Sequence, residues 1–217
     1  MTNVKISDII SMQMSVRRCA VNYTIQLKEI AAPNGGIIDN KTASTHGIPR
    51  WVLAKLCSEG ILQRIARGQY IFSDDMQDDL LSISKRSANL IFSHETALFL
   101  HGISDRVPFE HTVTVPSNRV PSKTVLEECK VYYIKPELFE LGRTLLVTPM
   151  GNNVSTYDLE RTICDVVRSR SKIGTETFLA ALKAYAANPK KNLNLLDHYA
   201  KQMRLAGVVR KYLEVLL

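Results

Sequence analysis

Apolar positions recur along this chain first at helical spacing, then at mixed helical and alternating spacing, and that change divides it. From Ser15, the residues Val16, Cys19, Ala20, Tyr23, Leu27 and Ile30 make one helical face, with Arg17, Arg18, Gln26 and Lys28 off it. Val4 to Ile10 is a short apolar lead, and Pro33-Asn34-Gly35-Gly36 stops the long helix. Ile37-Ile38 predicts a brief strand pairing with a later hairpin, and Asp39 or Asn40 suits a helix cap. Asn40 to Ser73 then predicts a short helix, a turn at His46-Gly47-Ile48-Pro49, a second helix from Pro49 to about Glu59, and a tight hairpin. Gly47 suits the left-handed end of the first helix, Pro49 the first position of the next, and Gly60 its stop. Val52, Leu53, Leu56 and Cys57 form the inward stripe of the second helix, opposite Arg50, Trp51, Lys55 and Ser58. The hairpin strands are Ile61 to Ala66 and Gln69 to Phe72 around Arg67-Gly68, with Arg64 near the tip.

Asp74, Asp75, Asp78 and Asp79 mark a linker at about 74 to 78. A helix is expected from Met76 to Ser87, and another from Ser93, as its cap, through Glu95 and Leu98 to Gly102. Thr112 to Pro116, Val131 to Ile134 and Thr144 to Thr148 are strand candidates. Ser122 to Glu128 and Glu137 to Leu141 are short helical candidates between them. From Tyr157 the pattern is helical: Leu159, Ile163, Val166 and Val167 face a core, followed by helices at Glu176 to Ala187, Leu193 to Leu205 and Val208 to Leu217. The expected class is α+β, with a first domain over 1–75 and an α+β domain over 76–217 that has a small sheet and a helical tail.

A helix, turn, helix and hairpin in that order is the layout of a winged helix-turn-helix, which sets one helix in a DNA groove with a hairpin beside it. Charge favours that reading over a purely structural or protein-binding one. Residues 1–73 hold nine Lys and Arg against four Asp and Glu, net +5, residues 74–159 are net −4, and residues 160–217 are net +6, within a total of +7. Two basic ends flank an acidic middle, as suits an anionic partner. On this reading Arg50, Trp51 and Lys55 face the major groove. Arg64, Arg67 and Gln69 set the wing on the backbone or minor groove, and Lys41, Thr45 and His46 hold phosphates. Lys183, Lys190, Lys191, Lys201, Arg204 and Arg210 form a second basic surface on the last helices.

The 217 residues, 45% hydrophobic, suffice for two cores. Cys19, Cys57, Cys129 and Cys164 have no C-x-x-C spacing and read as isolated thiols. No secretory leader or run of about 20 apolar residues occurs, so a cytoplasmic protein without a membrane span is expected. His94-Glu95 with His101 lacks the second histidine of a zincin, and neither a metal nor a cofactor is expected. Asp158, Glu160 and Asp165 are the carboxylates a metal-dependent nuclease would want. They read better as helix-start acids with an intrahelical ion pair to Arg161.

Several segments resemble the AbiEi-type antitoxins of bacterial abortive-infection toxin–antitoxin systems. They are Ser93-His94-Glu95-Thr96-Ala97-Leu98, Leu100-His101-Gly102, Ser104-Asp105-Arg106, Asp158-Leu-Glu-Arg-Thr162 and the GILQRIARGQY hairpin. Gly47-Ile48-Pro49 departs from the resemblance, standing where a polar cap is commoner. The resemblance implies an autorepressor and no enzyme. Two copies of its winged helix would bind inverted repeats of double-stranded DNA in the promoter of its own operon. The second domain would counteract a nucleotidyltransferase-like toxin without a stable complex. The alternatives are a nuclease targeted by the winged helix and a protein-interaction module that binds no DNA.

Overall fold

The computed structural model describes residues 23–104 and 106–214. Val4 to Ile10, the start of the first helix with Val16, Cys19 and Ala20, Asp105, and the last three residues lie outside the described residues. The chain forms two compact units that meet between Ser82 and Ile83, beyond the junction expected at 75/76.

In the first unit, helix α1 (described over 23–31) runs into a 3-10 turn at Ala32–Asn34 whose Pro33 and left-handed Gly35 end it. Strand β1 (Ile38–Asp39), helix α2 (Asn40–Thr45), helix α3 (Arg50–Ser58) and strands β2 (Leu62–Ala66) and β3 (Gln69–Phe72) follow. The strands form an antiparallel sheet in the order β1-β3-β2, with an irregularity between Arg64 and Ala66. Asp39 begins α2: its Oδ1 accepts from the Thr42 amide at 2.8 Å and its Oδ2 from the Thr42 hydroxyl at 2.7 Å. Gly47 at φ 74° turns the chain between α2 and α3, and the Ile48 amide donates back to the Ala43 carbonyl at 2.9 Å. Ile48 is thereby pressed into a core of Leu27, Ile30, Ile38, Ala43, Val52, Leu53, Leu56, Leu62 and Phe72. Pro49 is not the first helical residue as expected; its ψ of 148° makes it the extended residue before α3. Helix α4 (Asp79–Ser84) is shorter than the expected Met76 to Ser87. It starts where the Leu81 amide donates to buried Asp78, and Leu81 packs with Ile37 and Ile71.

The second unit is built on a mixed five-stranded sheet in the order β6-β5-β4-β8-β7. Its strands are β4 (Ile91–Phe92), β5 (His111–Pro116), β6 (Cys129–Ile134), β7 (Arg143–Val147) and β8 (Asn153–Tyr157). Strands β5 and β6 pair in parallel, as do β4 and β8, while β4–β5 and β7–β8 are antiparallel. Strands β4 and β8 were not expected. Two residues show no period, and β8 hides its inward position Thr156 behind a polar residue type.

Helix α5 (His94–Leu100) follows β4, α6 (Lys123–Glu128) leads into β6, and a 3-10 turn at Pro136–Leu138 precedes β7. The tail is α7 (Leu159–Arg168), α8 (Thr175–Ala187), α9 (Leu193–Gln202) and α10 (Ala206–Leu213). Helix α7 is buried on all sides from Glu160 to Val167, not on one face alone. Ile163, Val166 and Val167 lie with Phe178, Leu182, Tyr185, Leu196 and Val209 in one core. The architecture is mixed α+β.

Candidate nucleic-acid interface

In the first unit the inward stripe of α3 leaves Arg50 and Trp51 outward, and Trp51 is 57% exposed. The indole is therefore outside the buried stripe that fixes α3 to its unit. Lys55, one turn on, is half-buried and pairs with Glu59 at 3.8 Å, a contact worth little in water. At the end of α2 the Thr45 hydroxyl donates to the Thr42 carbonyl at 2.8 Å, and His46 Nδ1 donates to the same carbonyl at 2.9 Å. Both side chains lie at the surface, as does Lys41. Both polar groups gather on one carbonyl at the end of α2, which also accepts the His46 backbone amide at 3.2 Å.

At the hairpin, Arg64 Nε donates to the Ala66 carbonyl at 3.2 Å, holding its guanidinium over the irregular step in β2, and Arg67 stands exposed at the tip. A side chain at position 68 would be strained and would displace Asn40. Gly68 has φ 78°, and a Cβ there would lie 3.0 Å from Asn40 Nδ2. Gln69 departs from expectation. It is buried, its Oε1 accepts from the Ser82 hydroxyl at 2.9 Å, and its amide nitrogen reaches the Ser82 carbonyl at 3.4 Å. Alternation along β3 turns it inward, so it ties the hairpin to α4 and offers nothing outward.

The basic residues of the tail are dispersed. Lys183, Lys190, Arg204 and Arg210 are exposed. Lys191 is partly buried and donates to the Asn188 carbonyl at 3.4 Å, and Lys201 pairs with Asp197 at 2.5 Å. The last two cations are therefore partly engaged within their own unit.

The titratable motifs of the second unit are built into its interior. Asp158 begins α7, accepting the Arg161 amide at 2.8 Å and the Tyr199 hydroxyl at 2.7 Å. Glu160 accepts the Asn192 amide at 2.8 Å, anchoring the start of α9. Asp165 is fully buried between Arg161 and Arg168, each at 3.1 Å. Arg161 also donates to the carbonyls of Leu138 and Leu141 and lies 4.2 Å from the Tyr157 ring centroid. The intrahelical ion pair read from the sequence is present, and it is sealed from water.

Ser93 does not cap α5 with its side chain. Its hydroxyl instead pairs with His94 Nδ1 at 2.8 Å and accepts from the Thr114 hydroxyl at 2.8 Å. His94 has φ 48°, stacks on Tyr132 with ring centroids 3.6 Å apart, and meets the Ser169 hydroxyl at 3.0 Å through Nε2. His101 Nε2 donates to the Tyr157 carbonyl at 2.8 Å. Among the described residues no group of three or more His, Cys, Asp or Glu is arranged to hold a metal. Cys129 and Cys164 are buried, which pushes their thiols up to about 11 and about 12, and Cys57 is half-buried with its thiol also raised by burial. Among the described residues no helix is long and apolar enough to cross a membrane.

No family model matches the chain, and no curated protein matches it. In fold it is similar to the crystal structure of RV2827C protein from Mycobacterium tuberculosis, with TM-score 0.62 and 12% identity, over 87% of this chain and 79% of that one.

Proposed function

We propose that the first unit is a winged helix-turn-helix, and that the protein is a DNA-binding autorepressor whose second unit acts as an antitoxin. The observation that carries the DNA-binding part is the outward end of α3. Arg50 and a mostly exposed Trp51 project there, while Val52, Leu53 and Leu56 fix the helix from behind. Arginine reads a guanine edge through two parallel hydrogen bonds, and an indole supplies apolar contact with a thymine methyl or a sugar. Arg64 and Arg67 on the hairpin and Lys41 on α2 supply phosphate contacts. Gln69 drops out of the interface. Two copies on an inverted repeat each read one half-site. The antitoxin part rests on the resemblance of the motifs around His94 and Asp158, and its target is a nucleotidyltransferase-like toxin.

The test is fluorescence anisotropy on a duplex from upstream of the gene. Arg50→Ala is expected to weaken binding about tenfold or more. Lys55→Ala costs less, because Lys55 is partly engaged by Glu59. Both variants still rescue growth against the toxin. Unaltered promoter affinity in Arg50→Ala removes α3 from the interface, and lost rescue removes the division of labour. The nuclease alternative has little to support it, since Asp158, Glu160 and Asp165 are each held by partners within the fold.

A further inference from the structure

We infer that β7 is a homotypic docking edge, on which a second copy of this chain pairs its own β7 in antiparallel fashion about a two-fold axis at Leu145. Among the described residues β7 ends the sheet, with β8 as its strand partner on one side. The Asp158 amide donates to the Gly142 carbonyl at 2.8 Å, and the Thr148 amide to the Asn152 carbonyl at 2.7 Å. Even-numbered residues of β7 therefore bond to β8, and the N–H and C=O groups of Leu145 and Val147 point along the sheet to the open side. The side chains of these two residues are 62% and 58% exposed. An edge of this length with apolar residues at its centre is the kind that proteins ordinarily blunt, and its charged residue, Arg143, lies at one end.

The opposite edge of the sheet is blunted: Arg168 donates to the Tyr133 carbonyl on β6 at 3.3 Å. A head-to-tail β7–β6 contact between copies is thus disfavoured, and the self-complementary β7–β7 contact is left. Centred on Leu145, that pairing sets Leu145 against Leu145 of the second copy and Arg143 against Val147. All are outward-bonding positions, so donors meet acceptors along the ribbon. The charges are compatible as well. Arg143 is the charged residue of the strand, and its guanidinium is held within its own copy by Glu140 and by the Ser155 hydroxyl. The two arginines fall at opposite ends of the ribbon, about 14 Å apart.

A pair of five-residue strands buries a few hundred Å² per copy, short of the roughly 800 Å² of a standard stable interface. The contact is accordingly weak in free solution and strong once two copies are held close together. Adjacent half-sites would hold them so, which links the edge to the DNA-binding reading. The edge itself does not depend on that reading.

The test is sedimentation of the full chain from low micromolar to near-millimolar concentration. The wild type is expected to pass from monomer to dimer in the upper part of that range. Leu145→Lys and Leu145→Glu each place like charges face to face and cut the association constant by about tenfold or more. An equimolar mixture of the two restores it, which loss of folding could not do. Wild type that stays monomeric throughout, Leu145→Lys that associates as the wild type does, or a mixture that fails to recover overturns the proposal. Binding of Leu145→Lys to a duplex with a single half-site separates the two readings. It stays at the wild-type level if both hold, and its absence in the wild type sinks DNA binding while leaving the sedimentation result to decide the edge.

Discussion

At φ 48° and with no exposed surface, His94 is held between the Tyr132 ring and two hydroxyls, and burial lowers its pKa from 6.5 to about 3. The unfolded chain binds a proton at this residue near pH 6.5, and the folded chain does so near pH 3. Between those values the unfolded state carries the extra proton, so stability rises with pH. The contribution is complete above about 6.5 and is lost as pH falls toward 3. Urea unfolding of the second unit is expected to lose about 2 kcal/mol between pH 7 and pH 5. In His94→Asn, which tolerates the left-handed backbone, that pH dependence flattens. An unchanged slope would assign the effect to other groups. Arg161 poses the opposite problem, a permanent charge in the core. Asp165→Asn leaves it uncompensated and is expected to cost about 3–5 kcal/mol. Asp197→Asn, which breaks an exposed pair with Lys201, costs less than about 1 kcal/mol. Equal losses in chemical denaturation would refute the distinction. The packing also explains why position 142 is glycine: at φ 74°, a Cβ there would meet Arg161 Cβ at 2.6 Å.

Among elements, α2 is one of the short helices that depend on their surroundings. Six residues cannot sustain a helix alone, so its start at Asp39 and its end at Gly47 orient it for the turn into α3. Asp39→Ala is expected to destabilise the first unit by about 1 kcal/mol in thermal melts, with Asp39→Asn retaining most of the stability. A full loss in Asp39→Asn would show that the charge, rather than the cap, is what matters. Most of this unit was legible beforehand, because turn glycines, a cap and a 3.6-residue stripe are local signals. Gln69 was misread for want of a tertiary signal, since its inward partner Ser82 lies 13 residues on. Elements of the second unit were harder to read. Strand β4 has two residues and carries no period, and the apolar stripe of α7 gave no sign that its polar side, with Glu160, Arg161 and Asp165, would be buried as well.

For the whole molecule the relevant quantity is the distribution of charge, with both ends basic and the middle acidic. On the proposed reading, promoter affinity falls with salt, each phosphate contact adding about −0.9 to the slope of log K against log[salt]. Replacing Arg64 and Arg67 by Ala reduces that slope by about 2. Replacing Lys190 and Arg204, exposed cations of the tail, does the same where the tail shares in binding. A slope unchanged by the second pair confines the interface to the first unit. Lys191 and Lys201 are poorer choices for this test because each already has a local partner.

Local chemistry in the sequence determined the helix–turn–helix–hairpin order, a cap at Asp39 or Asn40, the left-handed turn at Gly47, the outward Arg50 and Trp51, and the ion pair on α7. Each of these depends on residues within a few positions of one another. The tertiary structure decided what distant segments do together. It turned Gln69 inward, sealed Arg161 under the 138–141 carbonyls, stacked His94 on Tyr132, joined β4 and β8 into one sheet, and left β7 as its open edge. Those outcomes follow from which surfaces exclude water from one another and which backbone groups find partners, and neither is a property of any short stretch of the chain.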